Sequence, residues 1–215
     1  MTSTMSRLRN VTLLVISCFL AFTAYAQSPG QAVKPKQQFP SGLLNLYAPS
    51  SDGWILAGIG GNGIAFAKRG SEASETYGAQ VILFEMPPTS NNDEFISFVK
   101  NRITMINPAP RFQEIASDFQ YTEVRGYPCV DVRIRYDDNA AMTSTGTQQL
   151  KLKVMSLHCR HPVRQDLGFF AAYSYRGKAA DAPIESDAKS FIEAISVPKS
   201  PVDGDSIVVT HTVSV

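Results

Sequence analysis

The chain has 215 residues, of which 44% are hydrophobic and 18% charged, and its 20 basic side chains stand against 19 acidic ones for a net charge of +1. That balance argues against a nucleic-acid binder, which carries a strongly basic face or stripe. The length suits one hydrophobic core and one domain.

The N-terminus speaks to compartment. Arg7 and Arg9 precede an almost wholly apolar run from Val11 to Phe22, and Ala24-Tyr25-Ala26 sets small residues where a signal peptidase reads them. The run is about a dozen residues, short of the ~20 that a spanning helix needs. Residues 1–26 are therefore expected to be a signal peptide cleaved after Ala26, delivering a periplasmic or secreted protein. The alternative is a lipoprotein acylated on Cys18, after the loosely lipobox-like Val15-Ile16-Ser17, which would leave Phe19 to Phe22 as an apolar mature start. Cleavage after Ala26 removes Arg7 and Arg9 and no acid, so the net charge falls from +1 to −1. No later segment is apolar for long enough to span a membrane, so none is expected after cleavage.

Residues 27–45 open with "QSPGQAVKPKQQFP" and read as a flexible leader; 46–198 read as a single α/β domain, and 199–215 as a C-terminal tail. Within the domain, "WILA" at 54–57 and "IAFAK" at 64–68 flank a glycine cluster. "QVILFEM" at 80–86 is apolar on both alternations, as in a strand covered on both faces. Ser90 or Asn91 can cap a helix with Asp93 or Glu94 three residues on. Phe95, Phe98, Val99, Ile103 and Ile106 share its face, broken only by Arg102, and Pro108 ends it.

Four strands follow, over 118–124, 129–136, 150–157 and 167–175. In "CVDVRIRY" Val130, Val132, Ile134 and Tyr136 oppose Asp131, Arg133 and Arg135, while "LGFFAAYSY" is apolar on both sides and so central. A last helix begins near Pro183, presents Ile184, Ala188, Phe191 and Ile195, and stops before Pro198. Two helices and two strands buried on both faces predict an α+β fold: a mostly antiparallel sheet flanked by helices on both faces.

The succession "SDGWILAG", "GIAFAKRG" and "AQVILFEMPPTSNNDEFISFVK" resembles the opening of the PsbP/Mog1-like proteins, a Gly-Trp strand, a hairpin, an apolar strand and a helix. As a pattern of elements the resemblance covers roughly residues 50–197. It implies a PsbP/Mog1-like sandwich and a role in binding or assembly rather than catalysis, and it assigns no functional residue.

Several groups of residues invite a chemical reading. Gly58, Gly60 and Gly63 match the G-x-G-x-x-G spacing of a dinucleotide loop, and Glu85 stands where the ribose-binding acid would. "IAFAKRGSEASETYG" after them makes no helix, so the glycines are read as a hairpin turn supplying positive-φ positions, and no cofactor is expected. Ser97–Lys100 and Ser186–Lys189 have the Ser-x-x-Lys spacing but lack the partner motifs of penicillin-recognising enzymes.

His158, Cys159 and His161 gather potential zinc ligands in "LHCRHP". Strand alternation turns His158 away from Cys159, and no second cluster completes four ligands, so no metal site is expected. With Cys18 removed, Cys129 and Cys159 form an even pair in an oxidising compartment and are expected to be disulfide-bonded, two free thiols being the alternative.

Two binding surfaces compete: the corner Arg160, His161 and Arg164, preorganised for an anionic partner, and the strand end Tyr173, Tyr175 and Arg176. The ordinary reading of these tyrosines is core packing, and of the corner a solvated strand connection. The functional expectation is an exported, non-catalytic binding or assembly-accessory protein whose partner is a protein or an anionic cell-envelope component. The alternative is a hydrolase using His158 or His161, with a triad assembled from distant residues. The first prediction follows from the leader: mass spectrometry of the exported product should find Gln27 at the N-terminus, and a lipid-modified Cys18 or a retained Met1 would overturn that assignment.

Overall fold

A computed structural model describes residues 30–143 and 146–198. The expected signal peptide and the 199–215 tail lie outside the described residues. The sheet at the centre has seven strands: β3 (Ile55–Gly60), β4 (Gly63–Arg69), β5 (Thr76–Glu85), β6 (Phe112–Thr122), β7 (Cys129–Thr143), β8 (Gly146–Arg160) and β9 (Leu167–Gly177). Their order is β3-β4-β5-β9-β8-β7-β6, and every neighbouring pair is antiparallel. A small second sheet pairs β1 (Gln38–Phe39) with β2 (Leu46–Tyr47). The helices are α1 (Asn92–Ile106) and α2 (Glu185–Ala194).

β9 sits in the middle because both of its alternations are apolar. Phe169, Ala171, Tyr173 and Tyr175 enter one core with Trp54, Phe66, Val81 and Phe191. Phe170 and Ala172 enter a second core with Phe84, Val99, Val132 and Ile134. The helix α1 closes the second core through Phe95, Val99 and Ile103, which recur every four residues on one face. Its start is defined by Asn91, whose side chain accepts from Glu94 N at 2.9 Å, while the Glu94 carboxylate accepts from Ser90 N at 2.6 Å.

The short helix α2 lies on the opposite side, burying Ala188 and Phe191. Arg125 closes its C-terminal end by donating to the carbonyls of Ile192, at 2.8 Å, and Ile195.

The expected sandwich, with helices flanking both faces, is not what forms. The molecule is dominated by its antiparallel sheet, and the two helices, of 15 and 10 residues, are too short to build layers. Much of the cover on the α2 side comes instead from residues 30–48. Phe39 and Leu44 are 3% and 1% exposed in that core, with Leu46 and Ala48 beside them. Of the flexible leader expected over 27–45, residues 27–29 lie outside the described residues, while 30–45 are tied to the sheet, since Val33 N donates to Trp54 O and Leu56 N to Gln31 O. Polar composition hid two apolar anchors in a stretch whose first residues, 30–33, bond the backbone of residues 54–56.

The strand pairing also sets the cysteines. Cys129 and Cys159 are direct partners between β7 and β8. Arg160 N donates to Pro128 O, so the flanking residues carry the hydrogen bonds and the cysteines form a non-hydrogen-bonded pair, the closer kind. Their Cα atoms are 4.0 Å apart and their sulfurs lie at disulfide distance, 2.09 Å. A bridge closing a loop of 30 residues in sequence should contribute about 3–4 kcal/mol on the chain-entropy account. Replacing both cysteines by alanine should therefore lower the urea midpoint, reductant should lower it equally in the parent, and an unmoved midpoint in both would exclude the bridge.

Candidate functional site

The longest strands carry the charged face. On β7, Val130, Val132, Ile134 and Tyr136 are buried beneath α1, so alternation sends Asp131, Arg133 and Arg135 to the other side. Opposite them stand Gln120, Asp118 and Ala116 on β6 and Leu157, Met155 and Lys153 on β8. The helix α2 covers the β8–β9 part of that side and stops short of β6 and β7. Between its N-terminal approach, with Asp181 and Glu185, and the uncovered strands runs a groove of about 380 Å³.

Electrostatics within the groove are uneven. Lys153 is held firmly, donating to Glu185 Oε1 at 2.6 Å and to Ala182 O at 3.0 Å, and it keeps the Glu185 carboxyl below its usual range. Among the described residues Arg135 pairs with the well-exposed Asp181, at 3.9 Å, and Arg133 lies 3.6 Å from Asp131. The two arginine side chains are 51% and 61% exposed, respectively. Such loose pairs add little to stability. Burial pushes the Asp131 carboxyl upward and Asp118 adds to this, against the pull of Arg133.

The residues singled out from sequence are mostly elsewhere, and mostly committed. Arg160 is buried, and its guanidinium donates to Gln165 O at 2.6 Å, Pro87 O at 2.8 Å and Thr89 Oγ1 at 3.1 Å. His161 is buried beside it: Nδ1 accepts from Arg164 N at 3.0 Å and Val163 N at 3.3 Å, leaving Nε2 to donate to Leu43 O at 3.2 Å. Arg164 alone reaches solvent, in a two-point pair with Asp166. The corner is a clamp holding the β8–β9 turn to residues 43 and 87–89, so of the three residues expected to meet an anionic partner Arg160 and His161 are committed internally and Arg164 is the one at the surface.

Tyr173 and Tyr175 are 2% and 1% exposed, packed in the α2-side core, with hydroxyls donating to Asp187 and Glu75. They too are not a surface. Arg176 Nε lies 3.3 Å from the buried carboxylate of Asp138, which also accepts from Arg111 at 2.9 and 3.3 Å and from Ala140 N. Burial alone would push the Asp138 carboxyl upward, but these donors and the two arginines outweigh it and hold the group below its ordinary value. The expected binding trio is thus two core tyrosines and an internal ion pair.

The glycine loop is a hairpin, as expected. Gly60 pairs with Gly63, and Gly61-Asn62 makes the turn. Gly63 opens β4 rather than a helix, which removes the helix N-terminus that a dinucleotide loop requires. The expected positive φ is absent from this turn. Gly63 is needed instead for close approach, since a Cβ there would lie 2.5 Å from Val81 O. Beneath the hairpin is an apolar cleft of about 270 Å³ lined by Phe39, Leu44, Ile64 and Leu83, among others. Ser97, Lys100, Ser186 and Lys189 are all exposed on the outer faces of their helices.

His158 and Cys159 do point to opposite sides of β8, and among the described residues no group of three His, Cys, Asp or Glu side chains is placed to hold a metal. His158 does hydrogen-bond Ser156, with Nε2 3.0 Å from Oγ. Both are buried under α1, the ring is stacked on Phe170, and Nδ1 meets no carboxylate. Burial and the nearby Arg102 push this imidazole down to about 3. It lacks the orienting acid and the open approach that a serine hydrolase needs.

Sequence comparison matches the chain to no protein-family model and to no curated protein. Sequence reasoning does not single out Arg133 and Arg135, although the charged alternation of "CVDVRIRY" is legible; nothing in the sequence says that this face stays uncovered.

His158 yields a pH prediction. Its pKa is about 3 in the fold and near ~6.5 in the unfolded chain, so below pH 6.5 the unfolded state gains a proton that the folded state does not. Its contribution is complete above that pH and is lost progressively down to about pH 3, at up to ~1.4 kcal/mol per pH unit. Urea unfolding at pH 7 and pH 5 should show the parent losing roughly 2 kcal/mol more than a His158→Gln variant, and equal losses would contradict the buried, neutral imidazole.

Proposed function

We propose that this chain works after export as a non-catalytic binding protein that holds a segment of a protein partner against the open face of its sheet. The carrying observation is the groove, where Arg133 and Arg135 remain half-exposed and loosely paired, whereas Arg125, Arg160 and Arg176 are drawn into internal contacts. Arginine is enriched where interfaces concentrate their energy, and guanidinium groups not already saturated can take up carboxylates or backbone carbonyls.

The acids beside them choose between partner classes. Asp118, Asp181 and Glu185 line the same groove, which suits a polypeptide of mixed charge better than a uniformly anionic envelope polymer. The resemblance of the element pattern over roughly residues 50–197 to the PsbP/Mog1-like proteins points the same way, towards binding or assembly. The hydrolase reading finds no support in the buried Ser156–His158 pair or in His161, whose ring nitrogens are both engaged by backbone groups.

The test is site-specific photocrosslinking in the native cells. A photoreactive residue at position 135 should give one discrete protein adduct, and the same residue at Lys189, on the outer face of α2, should give none. Arg133→Glu should weaken the adduct from position 135 by roughly ten-fold. No adduct from position 135, or an identical pattern from position 189, would overturn the reading.

A further inference from the structure

The two edges of the large sheet are finished differently. At the β3 edge, residues 30–33 run alongside and occupy the backbone: Gly30 N donates to Leu56 O, Leu56 N to Gln31 O and Val33 N to Trp54 O. At the other edge, β6 pairs with β7 on one side and with no strand among the described residues on the other. It is 11 residues long and largely exposed.

Edges of this kind template pairing with another chain, and proteins usually blunt them with lysine, proline, bulges or a covering segment. Phe112–Thr122 contains neither lysine nor proline, and its one bulge, between Glu114 and Ala116, lies near the start. From Ala116 to Thr122 the strand is regular.

The register says which groups are on offer. Cys129 forms a non-hydrogen-bonded pair with Cys159, so its N–H and C=O turn towards β6 and bond Thr122. By alternation Ala116, Asp118 and Gln120 also face β7, leaving the N–H and C=O groups of Ser117, Phe119 and Tyr121 aimed outward. That is a row of three donors and three acceptors, enough for a short added strand.

Charge chooses the occupant. Between Phe112 and Val124 the ionised side chains are Glu114, Asp118 and Glu123, all acidic. A second copy of the chain pairing here through its own β6 would bring acidic strands together, which disfavours self-association.

We infer that β6 is a strand-addition site, which takes an extended basic segment of a partner protein as an eighth strand, with a lysine or arginine opposite Asp118. Backbone bonds to Ser117, Phe119 and Tyr121 supply the register, and the Asp118 pair supplies selectivity. The partner's next side chains then lie along the rim of the groove, so this inference rests on the binding reading above and specifies its mode.

The test uses the mature, disulfide-intact chain and a nine-residue peptide alternating lysine with valine or threonine. The peptide should bind, and amide exchange should slow at Ser117, Phe119 and Tyr121. Replacing its lysines by glutamate, N-methylating its pairing-edge amides, or changing the protein by Asp118→Lys should each weaken binding at least ten-fold. Ser117→Pro, which removes one outward donor, should weaken it as well. Full binding by the N-methylated peptide, indifference to Asp118→Lys, absence of binding by the lysine peptide, or dimerisation through β6 would each overturn strand addition. A groove adduct from position 135 that survives such a result would leave the broader binding reading standing, and loss of both would remove it.

Discussion

Every other feature of this molecule depends on the register of β9. It is covered on both sides, so each residue is committed to one of two cores: Phe169, Ala171, Tyr173 and Tyr175 to the α2 side, Phe170 and Ala172 to the α1 side. A slip of one residue would exchange the two sets and place large rings where small side chains now fit. That commitment propagates across the sheet. It stacks His158 on Phe170, sets Cys159 opposite Phe169 and hence beside Cys129, and turns Arg133 and Arg135 away from α1.

Once the apolar faces are settled, the charges sort into two kinds. Arg160, Arg125 and Asp138 are drawn inward and saturated by carbonyls or by opposite charge, because an unpartnered buried ion is costly. They tie together segments far apart in sequence: the β8–β9 turn to residues 87–89, the residue 125 loop to the end of α2, and Arg111 and Arg176 to one carboxylate. Arg102 is a third variant, its guanidinium 4.0 Å from the centre of the Phe84 ring with burial lowering its affinity for the proton. Among the described residues, the side of β6 and β7 that α2 does not reach stays uncovered.

The shortness of α2 leaves that side open. The open face and the outer edge of β6, which no strand among the described residues covers, adjoin one another, so a segment added to that edge would have side chains within reach of the groove. The β3 edge is occupied by residues 30–33, whereas the outer edge of β6 meets no strand among the described residues.

The sequence alone determined the local matters. Periodicity marked both helices and the strands from residue 54 onward, the capping residues around Asn91 located the start of α1, and the absence of a helix after Gly63 identified a hairpin. Alternation separated His158 from Cys159 and put Asp131, Arg133 and Arg135 on one face. These follow from neighbours a few residues apart, where backbone geometry alone dictates direction. Only the tertiary structure decided which faces are covered. Residues 30–48 pack in place of a helical layer, Tyr173 and Tyr175 sink into a core, and Arg160 and His161 are spent as clamps, while the charged side of β7 stays open. Burial is set by what arrives from distant parts of the chain, and two stretches with the same alternation differ only in whether something comes to lie on them.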